Sequence, residues 1–285
     1  MKEGTSETNQ PLAGCPVKRI DQAPPTRDRF GRPLIDGEGY TRASTLAKTL
    51  DDQHNLIAWS SRMTALGLAK APDLIALAST ATADERSKLN DIVERAKDRA
   101  SAGTGRDLGT AIHAAAEMLD HGQDISAVPL DVRNDAEGYE FARTGAGLEP
   151  LCGELFVANR QLKSAGSFDR LMHCNETGDA IIADLKTGTK DDPEYAAKYN
   201  ALAWSMQLAI YATAIPYDGG FLPWDAWELP VPSAMRGVIC YIPRGTGKCY
   251  IIDIDLAAGL QAVKLAADVR DARSSSPVLG IRGAA

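Results

Sequence analysis

Apolar residues recur near helical spacing across residues 41–100, first at Leu46, Leu50, Leu56, Ile57, Met63, Leu66 and Leu68, then at Leu74, Leu77, Leu89, Ile92 and Val93. Pro72 breaks the pattern, and Asp73 or Ser79 is expected near a helix start. The signal sharpens over Thr104–Asp120, where Leu108, Ile112, Ala115 and Leu119 form one stripe. Thr104-Gly-Arg-Asp107 has the form of a capping box there, and Gly122 ends the helix. A second helix is expected over residues 129–144. Three short segments rich in β-branched and aromatic residues follow, at 152–158, 166–174 and 179–187. Turn chemistry in Asn175-Glu-Thr-Gly178 makes the last two a hairpin. A long helix is expected over 193–215, then a Pro- and Trp-rich loop. Strands at 235–242 and 249–254 flank a Gly245-Thr-Gly247 turn, and a closing helix covers 256–272. Helices interleaved with strands in this order imply an α/β domain, a mixed sheet with helices on both faces.

Punctuation divides the chain further. Residues 1–39, rich in Pro, Gly, Thr and charge, read as a flexible N-terminal arm with an extended or hairpin element near 30–40. Residues 40–102 form a helical accessory region, 103–273 the main domain, and 274–285 a frayed tail. No internal repeat or low-complexity tract interrupts this plan.

An apolar fraction of 44% and a charged fraction of 24% are those of an ordinary globular protein. No apolar run is long enough to span a bilayer, and the first residues lack a basic-then-apolar signal, so a cytoplasmic protein without membrane partners is expected. The five cysteines are scattered, with no C-x-x-C pair, which argues against a disulfide framework or a zinc knuckle. Cys152, Cys174, Cys240 and Cys249 lie in strand-like segments and read as buried reduced thiols. A net charge of −7 counts against a nucleic-acid partner, since phosphate binders are usually basic. It does not exclude one, because metal-binding nucleases need clustered carboxylates and a basic groove can coexist with an acidic exterior.

Candidate chemistry begins at Asp184-Leu-Lys186. Residues two apart on a strand share a face, so this acid and amine project together while Leu185 points into the core. Lys186 alone among the lysines has an acid two positions before it. As an exposed edge ion pair it would contribute only ~0–1 kcal/mol. The hairpin turn brings the strand of Gly166-Ser-Phe-Asp169 alongside, so Asp169 is expected to face Asp184 across the ladder. Two carboxylates about 4 Å apart repel by ~4 kcal/mol at an effective dielectric of about 20, and a divalent cation is the usual relief where the ligands are hard oxygens. The bland alternative pairs Asp169 with Arg170 or Lys163. His113 and Glu117, i and i+4 on the first strong helix, share a face offset from its apolar stripe. Gln207 and Tyr211 repeat that spacing on the long helix, on a face distinct from Leu202, Met206 and Ile210, where an amide and a phenol suit a phosphate or base edge. Arg106, Lys163, Lys190, Lys198, Arg244 and Lys248 are candidate phosphate contacts.

Taken in order, Gly109-Thr-Ala-Ile-His113, Glu154, Gly166-Ser-Phe-Asp169, Ala183-Asp-Leu-Lys-Thr-Gly188 and Gln207-Leu-Ala-Ile-Tyr211 resemble the RecB-like branch of the PD-(D/E)xK nuclease superfamily. The likeness is greatest to phage-type exonucleases related to CRISPR-adaptation nucleases. It implies a restriction-endonuclease-like core and a Mg²⁺- or Mn²⁺-dependent DNA exonuclease serving phage recombination or DNA processing, with DNA and a recombination or replication protein as partners. It further implies that His113, Asp169, Asp184 and the Leu185 carbonyl hold the metal. Lys186 would orient the attacking water, Gln207 and Tyr211 would position the strand, and Glu154 would support the lysine or a second metal. The iron–sulfur members carry a C-terminal cysteine triad; none follows Cys249, so no cluster is expected. An endonuclease of the same fold, or a non-cleaving module that binds DNA or a protein, is the alternative.

Overall fold

The computed structural model describes residues 17, 18, 20–100 and 104–275, apart from the side chains of residues 104–106. The capping box, Arg106, Cys15 and the C-terminal tail therefore fall wholly or partly outside the described residues. In chain order the elements begin with β1 (Leu34–Ile35), β2 (Glu38–Gly39), β3 (Thr41–Arg42) and α1 (Ala43–Ala47). Four helices follow, α2 (His54–Ala69), α3 (Pro72–Ser79), α4 (Arg86–Arg99) and α5 (Thr104–Asp120), then α6 (Leu130–Gly145). Next come β4 (Leu148–Gly153), β5 (Phe156–Asn159), β6 (Ser164–Ser167), β7 (Arg170–Cys174), β8 (Ala180–Gly188) and α7 (Pro193–Ala212). The chain closes with β9 (Ile215–Pro216), a 3-10 turn at Trp224–Trp227, β10 (Arg236–Pro243), β11 (Tyr250–Asp255) and α8 (Leu256–Ser274).

Two compact units result: Met1–Leu50 with Ala116–Ala285, and Asp51–Ala115. The boundaries read from the sequence at 39/40 and 102/103 thus move. Residues 40–50 belong with the larger unit because β3 pairs with β6 and Ala43, Leu46 and Ala47 enter its core. The described part of the expected arm is likewise tied down. Gln22 accepts from Phe156 N–H at 2.6 Å and donates to the carbonyls of Phe156 and Tyr217, so its amide stands in for a strand partner. The smaller unit is helical, with Ala71, Leu74, Ile92 and Ala96 at its centre. Ser79 closes α3 rather than opening a helix, its hydroxyl donating to Ala76 O.

The larger unit is mixed α/β. Its five-stranded sheet runs β11-β10-β8-β7-β4, with β8 parallel to β10 and antiparallel to β7. Alternation along β8 serves both faces: Ala180 and Ile182 join Ile239 and Tyr241 beneath α7, while Ile181, Ala183 and Leu185 are buried on the other face, where α6 packs on β10. The hairpin expected at 175–178 is present, with Gly178 at φ +75. A second, four-stranded sheet, β3-β6-β5-β9, has its own small core of Ile35, Tyr40, Phe156, Ala158, Ala165 and Tyr217.

Two of the expected strands are each two strands. The 152–158 segment divides between β4 in the large sheet and β5 in the small one, and 166–174 divides between β6 and β7 in the same way. Local strand propensity marks extended chain but not which neighbour it pairs with. The long helix ends at Ala212, because Pro216 cannot continue a helix and β9 pairs with β5. Its start matches the sequence reading: Pro193 occupies the first turn and the Asp192 carboxylate accepts from Tyr195 N–H at 2.9 Å. From Trp204 onward α7 is largely enclosed, and Leu202, assigned to its apolar stripe, is 49% exposed. Among the described residues no helix is long and apolar enough to cross a membrane.

One carboxylate fixes the β10–β11 turn. Asp135 of α6, fully buried, accepts from the backbone N–H groups of Gly245, Thr246 and Gly247 at 2.7, 3.1 and 2.9 Å. Helix and turn approach so closely that a Cβ on Gly138 would lie 2.4 Å from Gly247 O. Removing the acceptor strands three donors, so Asp135→Ala is expected to lower the unfolding free energy by about 2–4 kcal/mol, read from the urea midpoint at constant m-value.

Candidate active site

Strand β8 turns Asp184 and Lys186 to the same side, and the ammonium lies 2.5 Å from Asp184 Oδ2. The acid side chain is 3% exposed and the lysine 30%, so the pair opens to solvent through the amine. This is not an edge pair in water. Asp184 Oδ1 accepts from Gln207 Nε2 at 3.2 Å, whereas Oδ2 is buried with no well-directed hydrogen bond and only the ion pair beside it. Parallel pairing with β10, which sets Ile239 beside Asp184 and Tyr241 beside Lys186, places this group in the middle of the sheet.

Asp169 reaches the same place from the joint between β6 and β7. The ladder's last pair is Arg170 with Ala183, so the next position would set Asp169 against Asp184, as the hairpin reading expects. Asp169 leaves the ladder there, and its Oδ2 accepts from Leu185 N–H at 2.9 Å. Phe168 holds the joint, stacked on Trp224 at 6.1 Å and edge-on to Tyr211 at 6.4 Å between ring centroids. Arg170 Nη1 donates to the Asp169 main-chain carbonyl at 2.8 Å, and Lys163 pairs with Glu38 at 2.8 Å.

Charge crowding follows. Burial, and then the Asp169 charge, push the Asp184 carboxyl up to about 7 against the pull of Lys186. Burial opposes the Lys186 charge, but Asp184 and Asp169 outweigh it and hold the ammonium above its ordinary value. Glu154, in the link between β4 and β5, belongs to the same field: burial, then Glu117 and Asp169, raise its carboxyl. Glu117 comes from α5, with Oε1 3.9 Å from where a Cβ on Gly153 would sit.

The remaining residues singled out from the sequence are placed as follows. Gln207 and Tyr211 are one turn apart on α7, with the phenol 3.5 Å from Gln207 Nε2. Tyr211 is buried and its pKa is raised, chiefly by burial, so the phenol supports Gln207 rather than facing solvent. The Leu185 side chain is fully buried on the opposite face. His113, half-buried on α5 one turn before Glu117, falls in the smaller unit. Of the candidate phosphate contacts, Lys163 is taken by Glu38 and Lys248 by Asp191 at 2.5 Å, and Lys198 lies over the Tyr199 ring. Among the described residues no group of three or more His, Cys, Asp or Glu is gathered as a ready metal cage.

Sequence reasoning missed a second charge cluster, on the other face of the sheet. Arg170 and Asp120 form a fully buried ion pair, and Asp120 also accepts from the Tyr139 hydroxyl at 3.0 and 3.1 Å and lies 3.2 Å from Arg143. The available signal was an arginine directly after a candidate ligand in an otherwise apolar strand, since a buried guanidinium requires an acid.

No family model matches the chain, and no curated protein matches it. Among solved structures, one titled "Crystal structure of SSO0001" is 16% identical, covering 58% of this chain and 75% of that chain with a TM-score of 0.27, a likeness too distant to carry an argument.

Proposed function

We propose that this chain is a divalent-metal-dependent deoxyribonuclease of the RecB-like PD-(D/E)xK type, with Asp169, Asp184 and Lys186 at its centre. The observation that carries the reading is the convergence of two carboxylates and one ammonium at the middle of the sheet, where Asp184 is driven up to about 7 by burial and a like charge. A fold with no use for this crowding would gain by replacing one acid.

The donor set fits Mg²⁺ or Mn²⁺. Both are hard cations, and Asp184 Oδ2 is a buried oxygen without a directed hydrogen bond. A cage of three protein ligands is not needed, because magnesium usually takes one or two carboxylates and completes its shell with water and substrate phosphate. Such an ion would neutralise nonbridging oxygens and lower the pKa of a bound water. The side chains do the rest. Lys186, partly open to solvent and held protonated by its acids, would orient an attacking water and meet negative charge developing on the phosphoryl oxygens. Gln207 fixes Asp184 through Oδ1, and Tyr211 holds Gln207 from below. Glu154, an exposed residue whose carboxyl is raised by desolvation and by the charges of Glu117 and Asp169, is suited to hold a proton near the leaving oxygen. His113 as a further ligand, DNA as substrate and the exonuclease mode rest on the motif resemblance.

With Mg²⁺ or Mn²⁺ the purified protein is expected to degrade linear DNA, and Asp184→Asn or Lys186→Ala to slow it by about 10²-fold or more with the far-ultraviolet dichroism unchanged. Full activity in both variants would dismiss the assignment. Metal-free stability offers a second check. The folded carboxyl of Asp184 titrates near 7 and an unfolded one near 3.8, so in that window the folded state holds a proton that the unfolded state has released. Stability therefore falls as pH rises from 4.5 to 7.5, and this fall is expected to be smaller in Asp184→Asn, as measured by chemical denaturation in chelator at both pH values.

A further inference from the structure

We infer that Arg170, held by Asp120 on the far face of the sheet, is a positioning residue for the Asp169 carboxylate. The inference rests on the nuclease reading and adds to it a group that touches neither metal nor DNA.

The geometry makes the case. Asp169 stands outside regular structure, one residue before β7 begins and one position beyond the last ladder pair of Arg170 with Ala183. Two contacts hold it there. Its carboxylate accepts from Leu185 N–H at 2.9 Å on one face, and its main-chain carbonyl accepts from Arg170 Nη1 at 2.8 Å. One fixes the carboxylate end of the residue and the other fixes its peptide. Arg170 can brace the peptide because its own place is imposed. The residue is 2% exposed, its Nε is ion-paired with Asp120, and Asp120 is fixed in turn by Tyr139 and Arg143. Nη2 is buried without a hydrogen bond, so the guanidinium sits where Asp120 and Asp169 require it and not where all its donors are met.

Energetics favour a positioning role over a stabilising one. A buried ion pair seldom adds net stability, because desolvating both charges offsets their attraction. What it adds here is direction: a planar fork with one arm on an acid and another on a carbonyl. A lysine keeps the charge but, as a point donor on a shorter stem, cannot serve both partners.

Arg170→Lys and Arg170→Gln test this, measured as Mn²⁺ affinity by electron paramagnetic resonance without DNA and as kcat and KM with it. Asp120 retains Arg143 and Tyr139 in both variants, and far-ultraviolet dichroism with urea unfolding identifies the temperature at which each variant is folded and Mn²⁺ is measured. Each is expected to weaken Mn²⁺ binding about tenfold and lower kcat by a similar factor with KM for DNA little changed, the scale typical of groups that orient metal ligands. Asp135→Asn, which loosens the Gly245–Gly247 turn without touching Asp169, controls for lost stability and is expected to keep Mn²⁺ affinity. If the Arg170 variants bind and cut like the parent, or if Asp135→Asn weakens Mn²⁺ equally at matched stability, the positioning role is wrong and the nuclease reading stands. A parent protein that neither binds Mn²⁺ nor cuts DNA overturns both.

Discussion

At the centre of the large sheet, two negative side chains and one positive one share a space from which water is mostly excluded. Asp184 is buried beneath α7, Asp169 arrives from the joint before β7, and Lys186 sets an ammonium directly against Asp184. Burial and the like charge of Asp169 both oppose ionisation of Asp184. The surrounding polar contacts are where compensation would be expected. Gln207 lends an N–H to one acid and the backbone of Leu185 lends one to the other. Helix α7 therefore does more than cover the sheet: its enclosed C-terminal half delivers the amide that faces Asp184, and Tyr211 behind it keeps that amide in place.

The elements whose causes are local were legible in the sequence. Helix α5 follows from its apolar period, α7 from Asp192 and Pro193 at its start, and the β7–β8 hairpin from the Asn175–Gly178 turn. The same-face relation of Asp184 and Lys186 is a property of any strand. Features with distant causes were not legible. The split of 152–158 and 166–174 between two sheets depends on partners elsewhere in the chain, and strand propensity is silent about partners. Asp120 and Arg170 are fifty positions apart, so no window of sequence contains both. Tyr211 has helical spacing with Gln207 in either case, but only the packing of Phe168 and Gly166 against it makes it a buried support. Lys163 looked available until the β1–β2 hairpin brought Glu38 to it.

The sheet is also a partition between two kinds of buried charge. Beneath α7, Asp184 Oδ2 is buried beside the Lys186 ammonium without a directed hydrogen bond; on the α6 side, Asp120 is met by Arg170, Arg143 and Tyr139. An acid met by three partners is held rigidly by them, even though Arg170 Nη2 and Arg143 Nε make no hydrogen bond. An unmet one is where a ligand finds something to gain. Placing the first directly behind the second lets a stiff anchor serve a reactive neighbour one residue away in the chain.

The crossing from one sheet to the other at Phe168 and Asp169 has a consequence for how this chain tolerates changes of length. The turn at residues 175–178 lies at a strand end and is exposed, so an added residue has room to bulge outward. Between Ser167 and Arg170 there is no such room, because Phe168 is wedged between Tyr211 and Trp224 and the next residue is an acid of the site. An insertion there would shift every residue of one sheet against the other and turn the acid away from Leu185. Chains descended from this one can lengthen their loops freely, but this two-residue joint must keep its count.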